Sequence, residues 1–299
     1  MSIPGAIHAA MLTPLDDDGA VSAERLGPLV DYILSRGVDG LYAGGSTGEA
    51  MLLSRAERAL VLEELAACAG GRCTLIAHVG AASTDDAVAL ARLAGQAGYA
   101  AVAAVPPYYY KHGFAEIADY YWAIADAAGL PLMIYNIPAL TGVDLGTERL
   151  LELLADPRVG GIKFTDTDVF QFTRLRNAAP DKRFYFGSDE MFICAAAAGT
   201  DGGIGSTYNL IGEVYVGIME TVEAGDVETA RALQAKANGL IEILLDTGVV
   251  PGLKHAMNRV GVPLGGCRRP FRPAPPAALE RLDRWIDANL AASDWAADD

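Results

Sequence analysis

The feature that most constrains this chain is its rhythm. Short β-branched or apolar runs alternate with Ala/Leu-rich stretches of helical period, the pattern of βα units wound around a parallel sheet. The runs fall at 6–12, 40–44, 74–79, 101–105, 132–137, 161–164, 184–187 and 203–206. Eight units predict a closed (β/α)8 barrel, a TIM barrel, and a chain of 299 residues is long enough for one with helices to spare. Ser22, Ser54 and Ser83 each precede a helical stretch with acidic residues in its opening turn, and Gly37, Gly70 and Gly98 follow as stops. From about Gly212 onward only helical patterns remain, including 226–248 and 277–291. The expected division is therefore a barrel core over 1–211 and C-terminal helices over 212–299, packed on the barrel and including its last helix. The Pro-rich segment 268–276 reads as a rigid connector.

Hydrophobic residues make up 52% of the chain and charged ones 20%, enough to bury a core without disulfides or a structural metal. The formal charge of −15 argues against nucleic acid or an anionic membrane as partner, because both demand clustered Lys and Arg. It leaves room for a small anionic substrate in a locally positive pocket. Cys68, Cys73, Cys194 and Cys267 show no CxxC spacing and read as reduced thiols, which predicts a cytoplasmic protein. The first residues lack a basic stretch of the signal-peptide kind, and no run approaches the ~20 apolar residues of a membrane span. His8, His78, His112 and His255 have no metal-ligand spacing, so no metal is expected. Neither a dinucleotide fingerprint nor a P-loop is present, since GGIGSTY at 202–208 carries Tyr208 where a third glycine would be needed.

Lys163 interrupts the apolar run VGGIKF, in a strand that should be buried on both faces. A lysine there must reach solvent, pair with a carboxylate, or give up its charge; the last yields a neutral amine able to attack a carbonyl. The plainer reading is a strand-end lysine whose head snorkels to water. Tyr135, in MIYNIP, closes the fifth run, where barrel active sites gather side chains from different strands, although a tyrosine there is also ordinary packing. A phenol beside an imine can relay protons. The loop GGSTGE, from Gly44 to Glu49, follows the second run and should open a helix, so its N–H groups and the Ser46 and Thr47 hydroxyls could hold a carboxylate. The same letters fit G-x-S-x-G, a nucleophile elbow, which makes a serine hydrolase using Ser46 the rival from another class, with His255 as its candidate base. The aromatic run Tyr108-Tyr109-Tyr110 falls just after the fourth strand, at the catalytic face.

Taken together, GGSTGEAMLLS, PPYYY, YNIPALTGV, GIKFT, GSDE, GGIGSTYN and GLKHAMNRVGVPLGGCRRPF, in that order, resemble the dihydrodipicolinate synthase / N-acetylneuraminate lyase superfamily over essentially the whole chain. Synthases of that family carry an Arg two residues after the Pro of YN-x-P, where it clamps a substrate carboxylate. Leu140 occupies that position here, and a hydrophobic residue cannot replace the clamp. The motifs look instead like those of the lyase branch. That resemblance implies a class I aldolase, reversibly cleaving N-acetylneuraminate to pyruvate and N-acetylmannosamine, with no cofactor beyond a covalent Schiff base on Lys163. It implies Tyr135, Ser46 and Tyr109 as the other catalytic residues. Ser46, Thr47 and Gly48 would surround the pyruvyl carboxylate, and Thr165, Gly187, Asp189, Glu190 and Ser206 the polyhydroxylated tail. Tyr109 matches a tyrosine that reaches into a neighbouring subunit, which implies a homotetramer, a dimer of dimers. Ser188 stands where many lyases have an aromatic residue, so other keto-acid aldolases or dehydratases of the family, acting on 2-keto-3-deoxy sugar acids, stay open alongside the synthase.

Overall fold

The computed structural model describes residues 3–290, and all eight runs become strands: β1 (Ile7–Ala10), β2 (Gly40–Ala43), β3 (Thr74–His78), β4 (Ala101–Ala104), β5 (Leu132–Asn136), β6 (Val159–Phe164), β7 (Arg183–Phe186) and β8 (Gly202–Gly205). They close into a parallel barrel in sequence order, β8 pairing back onto β1. Between them lie α1 (Leu26–Ser35), α2 (Arg55–Ala69), α3 (Thr84–Gln96), α4 (Phe114–Ala128), α5 (Pro138–Thr141), α6 (Gly146–Leu154), α7 (Val169–Ala178) and α8 (Phe192–Ala197). After the last strand come α9 (Tyr208–Glu223), α10 (Val227–Thr247), α11 (Val249–Arg259) and α12 (Pro276–Asn289). None of the described helices is long and apolar enough to cross a membrane.

Two of the three predicted serine starts are N-caps: Ser54 accepts from the Glu57 N–H in a reciprocal capping box, and Ser83 accepts from Asp86. Ser22 is not. Its N–H donates to Pro14 O and its neighbour Val21 bridges Leu15, so this stretch folds back on the first loop and α1 starts only at Leu26. Gly70 caps α2 in the left-handed conformation, while Gly37 and Gly98 lie one residue beyond their C-caps, also at positive φ. The expected 211/212 boundary falls inside α9, at the point where Ile211 departs from helical geometry.

The period of two along each strand sorts side chains into two cores. Outward residues such as Leu41, Val102, Ile134, Ile162 and Phe184 pack beneath the helices. Inward residues, among them Ala10, Tyr42, Ile76, Ala103, Met133, Tyr135, Tyr185 and Ile204, fill the barrel itself. Small residues on β4 make room for tyrosines from β2, β5 and β7. Register then decides which of these meet: Tyr135 pairs with Lys163, and Lys163 with Tyr185.

Candidate active site

Lys163 sits on the inward face of β6, 4% exposed, so its head does not snorkel to solvent. No carboxylate pairs with it among the described residues. Its Nζ lies 4.5 Å from the ring centre of Tyr42 and 4.2 Å from that of Tyr135. The two rings meet edge to face at 6.0 Å and form, with the strand backbone, an electron-rich sleeve around the amine. The Tyr135 hydroxyl has no hydrogen-bond partner among the described residues. Beneath the sleeve lies His78, whose Nδ1 is 2.8 Å from Gly44 O and whose Nε2 is 3.4 Å from the Val105 N–H. Burial first, then the nearby Arg58, holds its pKa down to about 3, so His78 is a neutral strut with Nδ1–H donating and Nε2 accepting. Arg58, buried on α2, donates to His78 O and Gly80 O and fixes the end of β3.

The loop after β2 departs from expectation in its detail. It opens a single 3₁₀ turn, Ala50–Leu52, and α2 begins later, behind Ser54, so no α-helix N-terminus faces the site. The Gly48 N–H is spent on Gly45 O, the Glu49 N–H on Ser46 O and the Ala50 N–H on Gly45 O. This turn leaves the N–H groups of Ser46 and Thr47, with their two hydroxyls, as donors without a partner among the described residues. Four free donors on adjacent residues suit a carboxylate. The Gly48 amide, named from the sequence, is not among them, because closing the turn consumes it.

On the opposite rim, Gly187, Asp189, Glu190 and Ser206 line one cavity of about 320 Å³. A Cβ at Gly187 would stand 3.1 Å from Lys163 Cε and collide with Thr165 Oγ1, so any side chain at this edge of the cavity would crowd the Lys163 stem. Thr165 Oγ1 is buried without a partner, as is Asp189 Oδ1. The other Asp189 oxygen accepts from the Thr207 N–H at 3.0 Å and the Thr207 hydroxyl at 2.7 Å. Burial raises the Asp189 pKa, and these two bonds oppose the rise. Ser188 is buried beside this cavity rather than lining it, its hydroxyl 3.4 Å from Asp166 O. Glu190 is exposed at the mouth.

The far wall of this cavity is α10 and the start of α11: Asn238, Ile241, Glu242, Leu244, Leu245 and Val249. Sequence reasoning missed them, since α10 carries an ordinary amphipathic pattern with no sign of which turn would face the barrel mouth. A second cavity, of about 380 Å³, opens beside Ser46 and is mostly apolar, with Met51, Val105, Tyr108, Ile137, Leu140 and Phe271 in its lining. Tyr109 does not enter the site of its own chain. It is 87% exposed, at a positive φ of 81° that a non-glycine residue rarely adopts, with Tyr110 edge-on at 5.1 Å. The hydrolase arrangement is not assembled either: His255 on α11 faces Asp283 of α12 at 2.8 Å, in a cavity that Ser46 does not line. All four cysteines are free thiols, and burial pushes Cys267 up to about 11.

The chain is similar to known proteins along nearly its whole length. Residues 4–289 match the model of the dihydrodipicolinate synthetase family. The chain is 45% identical to an N-acetylneuraminate lyase of Rhizobium meliloti, over 95% of both chains. Its fold superposes with a TM-score of 0.91 on N-acetylneuraminate lyase from Fusobacterium nucleatum complexed with pyruvate, at 35% identity over 96% of this chain and 97% of that one. A catalytic-lysine mutant of the sialic acid aldolase from Ruminococcus gnavus matches with a TM-score of 0.90 and 32% identity, covering 95% of this chain and 94% of that one. A family match across nearly every described residue, with 45% identity to a relative over 95% of the chain, makes this chain a member of the dihydrodipicolinate synthetase family.

Proposed function

We propose that the protein is an N-acetylneuraminate lyase, a carbon–carbon lyase that cleaves the sugar acid reversibly to pyruvate and N-acetylmannosamine through a Schiff base on Lys163. The observation that carries this reading is the Lys163 amine, buried in the barrel with no paired carboxylate among the described residues and walled by the rings of Tyr42 and Tyr135. Its support from relatives is the likeness to N-acetylneuraminate lyases, one of them complexed with pyruvate.

In this mechanism the Lys163 amine adds to the C2 ketone of the open-chain sugar acid, and loss of water gives the protonated imine. The Ser46 and Thr47 donors hold the carboxylate at C1, and Ser46 passes protons as the carbinolamine collapses. Tyr135 takes the proton of the C4 hydroxyl as the C3–C4 bond breaks, and the bonding pair flows into the imine to leave an enamine. Protonation at C3 and hydrolysis then release pyruvate and restore the amine. No metal or organic cofactor takes part. Thr165, Asp189, Glu190 and Ser206 accept or donate to the hydroxyls of the departing sugar; Asp189, Glu190 and Ser206 line the cavity, and Thr165 lies beside Gly187 at its edge. The working form is a cytoplasmic homotetramer in which Tyr109 serves a neighbouring copy, a role that fits its exposure and strained backbone.

Borohydride reduction in the presence of pyruvate tests the chemistry. The expected result is a mass increase on Lys163 alone, absent in Lys163→Ala, and an active enzyme without that adduct would overturn the mechanism. A substrate panel of N-acetylneuraminate, 2-keto-3-deoxygluconate, and pyruvate with aspartate semialdehyde separates the lyase from its family alternatives, with turnover expected on the first. Light scattering on the purified protein reads the oligomeric state.

A further inference from the structure

We propose that a buried ion pair between Glu49 and Lys254 is a positioning element for the carboxylate loop, through which the C-terminal helices set how tightly the keto acid is held. The inference rests on reading Ser46 and Thr47 as the carboxylate site. Glu49 is the last residue of that turn. Its N–H closes the turn on Ser46 O at 3.1 Å, and its backbone sits in the left-handed region, φ 57°, where a residue with a side chain stays only if its surroundings hold it there.

What holds it is its carboxylate. Lys254 Nζ, from α11, lies 2.6 Å from one oxygen, and the backbone N–H of Arg268 donates to the other at 2.6 Å. Lys254 also donates to Gly266 O at 2.7 Å, so one ammonium ties the turn, α11 and the 266–268 segment together. Both charged side chains are essentially excluded from solvent, at 1% and 2% exposure. Burying two charges costs desolvation that their attraction barely repays, so such a pair is a poor device for raw stability. Its value is directional, because only one placement of the turn satisfies both charges. A second strap fixes the same segment from outside: the Arg268 guanidinium reaches Glu57 of α2 at 2.7 Å. Glu49 lies beside Ser46 in the lining of one cavity, while Lys254 lies in that of another, so the pair sits behind the donors and touches no reacting atom.

The test is steady-state kinetics in the condensation direction with a Glu49→Gln/Lys254→Met double variant, which removes both charges together and leaves neither one stranded. The pyruvate KM should rise about tenfold, the loss of well-aimed donors to a carboxylate, while the KM for N-acetylmannosamine stays within about twofold. A merely structural role would move both constants, or only the melting temperature. Arg268→Ala keeps the backbone N–H and loses the partly exposed guanidinium with its bonds to Glu57 and Gly19 O, so it folds even if the double variant does not; its pyruvate KM should rise about threefold. Unchanged pyruvate half-saturation in folded variants, with borohydride still trapping pyruvate on Lys163, overturns this proposal and leaves the aldolase reading standing. Absence of trapping in the wild type would instead bring down that reading.

Discussion

At the residue scale, the site depends on one amine, one phenol and one missing side chain. Lys163 was legible because a charge in a doubly buried strand breaks a pattern that apolar burial otherwise enforces. Tyr135 was legible by its place at a strand end. That the two touch is a matter of register, which pairs them across β5 and β6. Replacing Tyr135 with Phe should lower kcat by about a hundredfold or more while pyruvate trapping on Lys163 persists, since imine formation and bond cleavage ask different things of the phenol. Gly187→Ala should fold but lose activity about tenfold or more, because the new methyl collides with Thr165 and crowds the Lys163 stem. Circular dichroism and lyase turnover together read that outcome. Tyr109 was placed by likeness alone, and a single chain leaves it pointing into solvent.

At the element scale, helices deliver the supports that strands cannot. α2 starts on a capping box and carries Arg58 to the end of β3, so Ser54→Ala should cost about 1 kcal/mol of stability in urea melts without changing substrate affinity. α10 reaches the rim through Gln234, which accepts from the Ile193 N–H at 2.9 Å and donates to Asp189 O at 3.0 Å. Gln234→Leu strands both backbone groups and should cost roughly 2 kcal/mol. Because one of them belongs to Asp189, the sugar KM should rise as well, and an unchanged KM would separate α10 from the site. The starts at Ser54 and Ser83 were readable since a cap is local chemistry, whereas Ser22 misled because tertiary pairing of its segment with the first loop outweighed the capping signal.

For the whole molecule, acid should be the weak point. Burial is the main cause that holds His8 down to about 4 and His78 to about 3, against an ordinary value of 6.5. The folded state keeps both rings neutral while the unfolded chain protonates them, so their contribution is complete above pH 6.5 and drains away as the pH falls through 6 and 5. The slope approaches about 1.4 kcal/mol per pH unit for each ring. Asp189, raised by burial, works in the opposite sense and offsets part of the loss. Urea midpoints between pH 7 and 4.5 should fall steeply, and less so in His8→Leu, which removes one of the two buried rings. We also expect one cooperative thermal transition, with residues 212–290 unfolding alongside the barrel, since α9 packs on β1 and α10 on α9. What the sequence determined by itself was everything written in short-range pattern: eight βα units, the closed parallel sheet they require, and the lysine that violates a buried strand. Who meets whom at the rim, including the α10 wall and the Glu49–Lys254 pair, was settled only by the closed fold. Those contacts join residues far apart along the chain, and neither partner's local pattern changes when the other arrives; closure of the barrel alone brings them into reach.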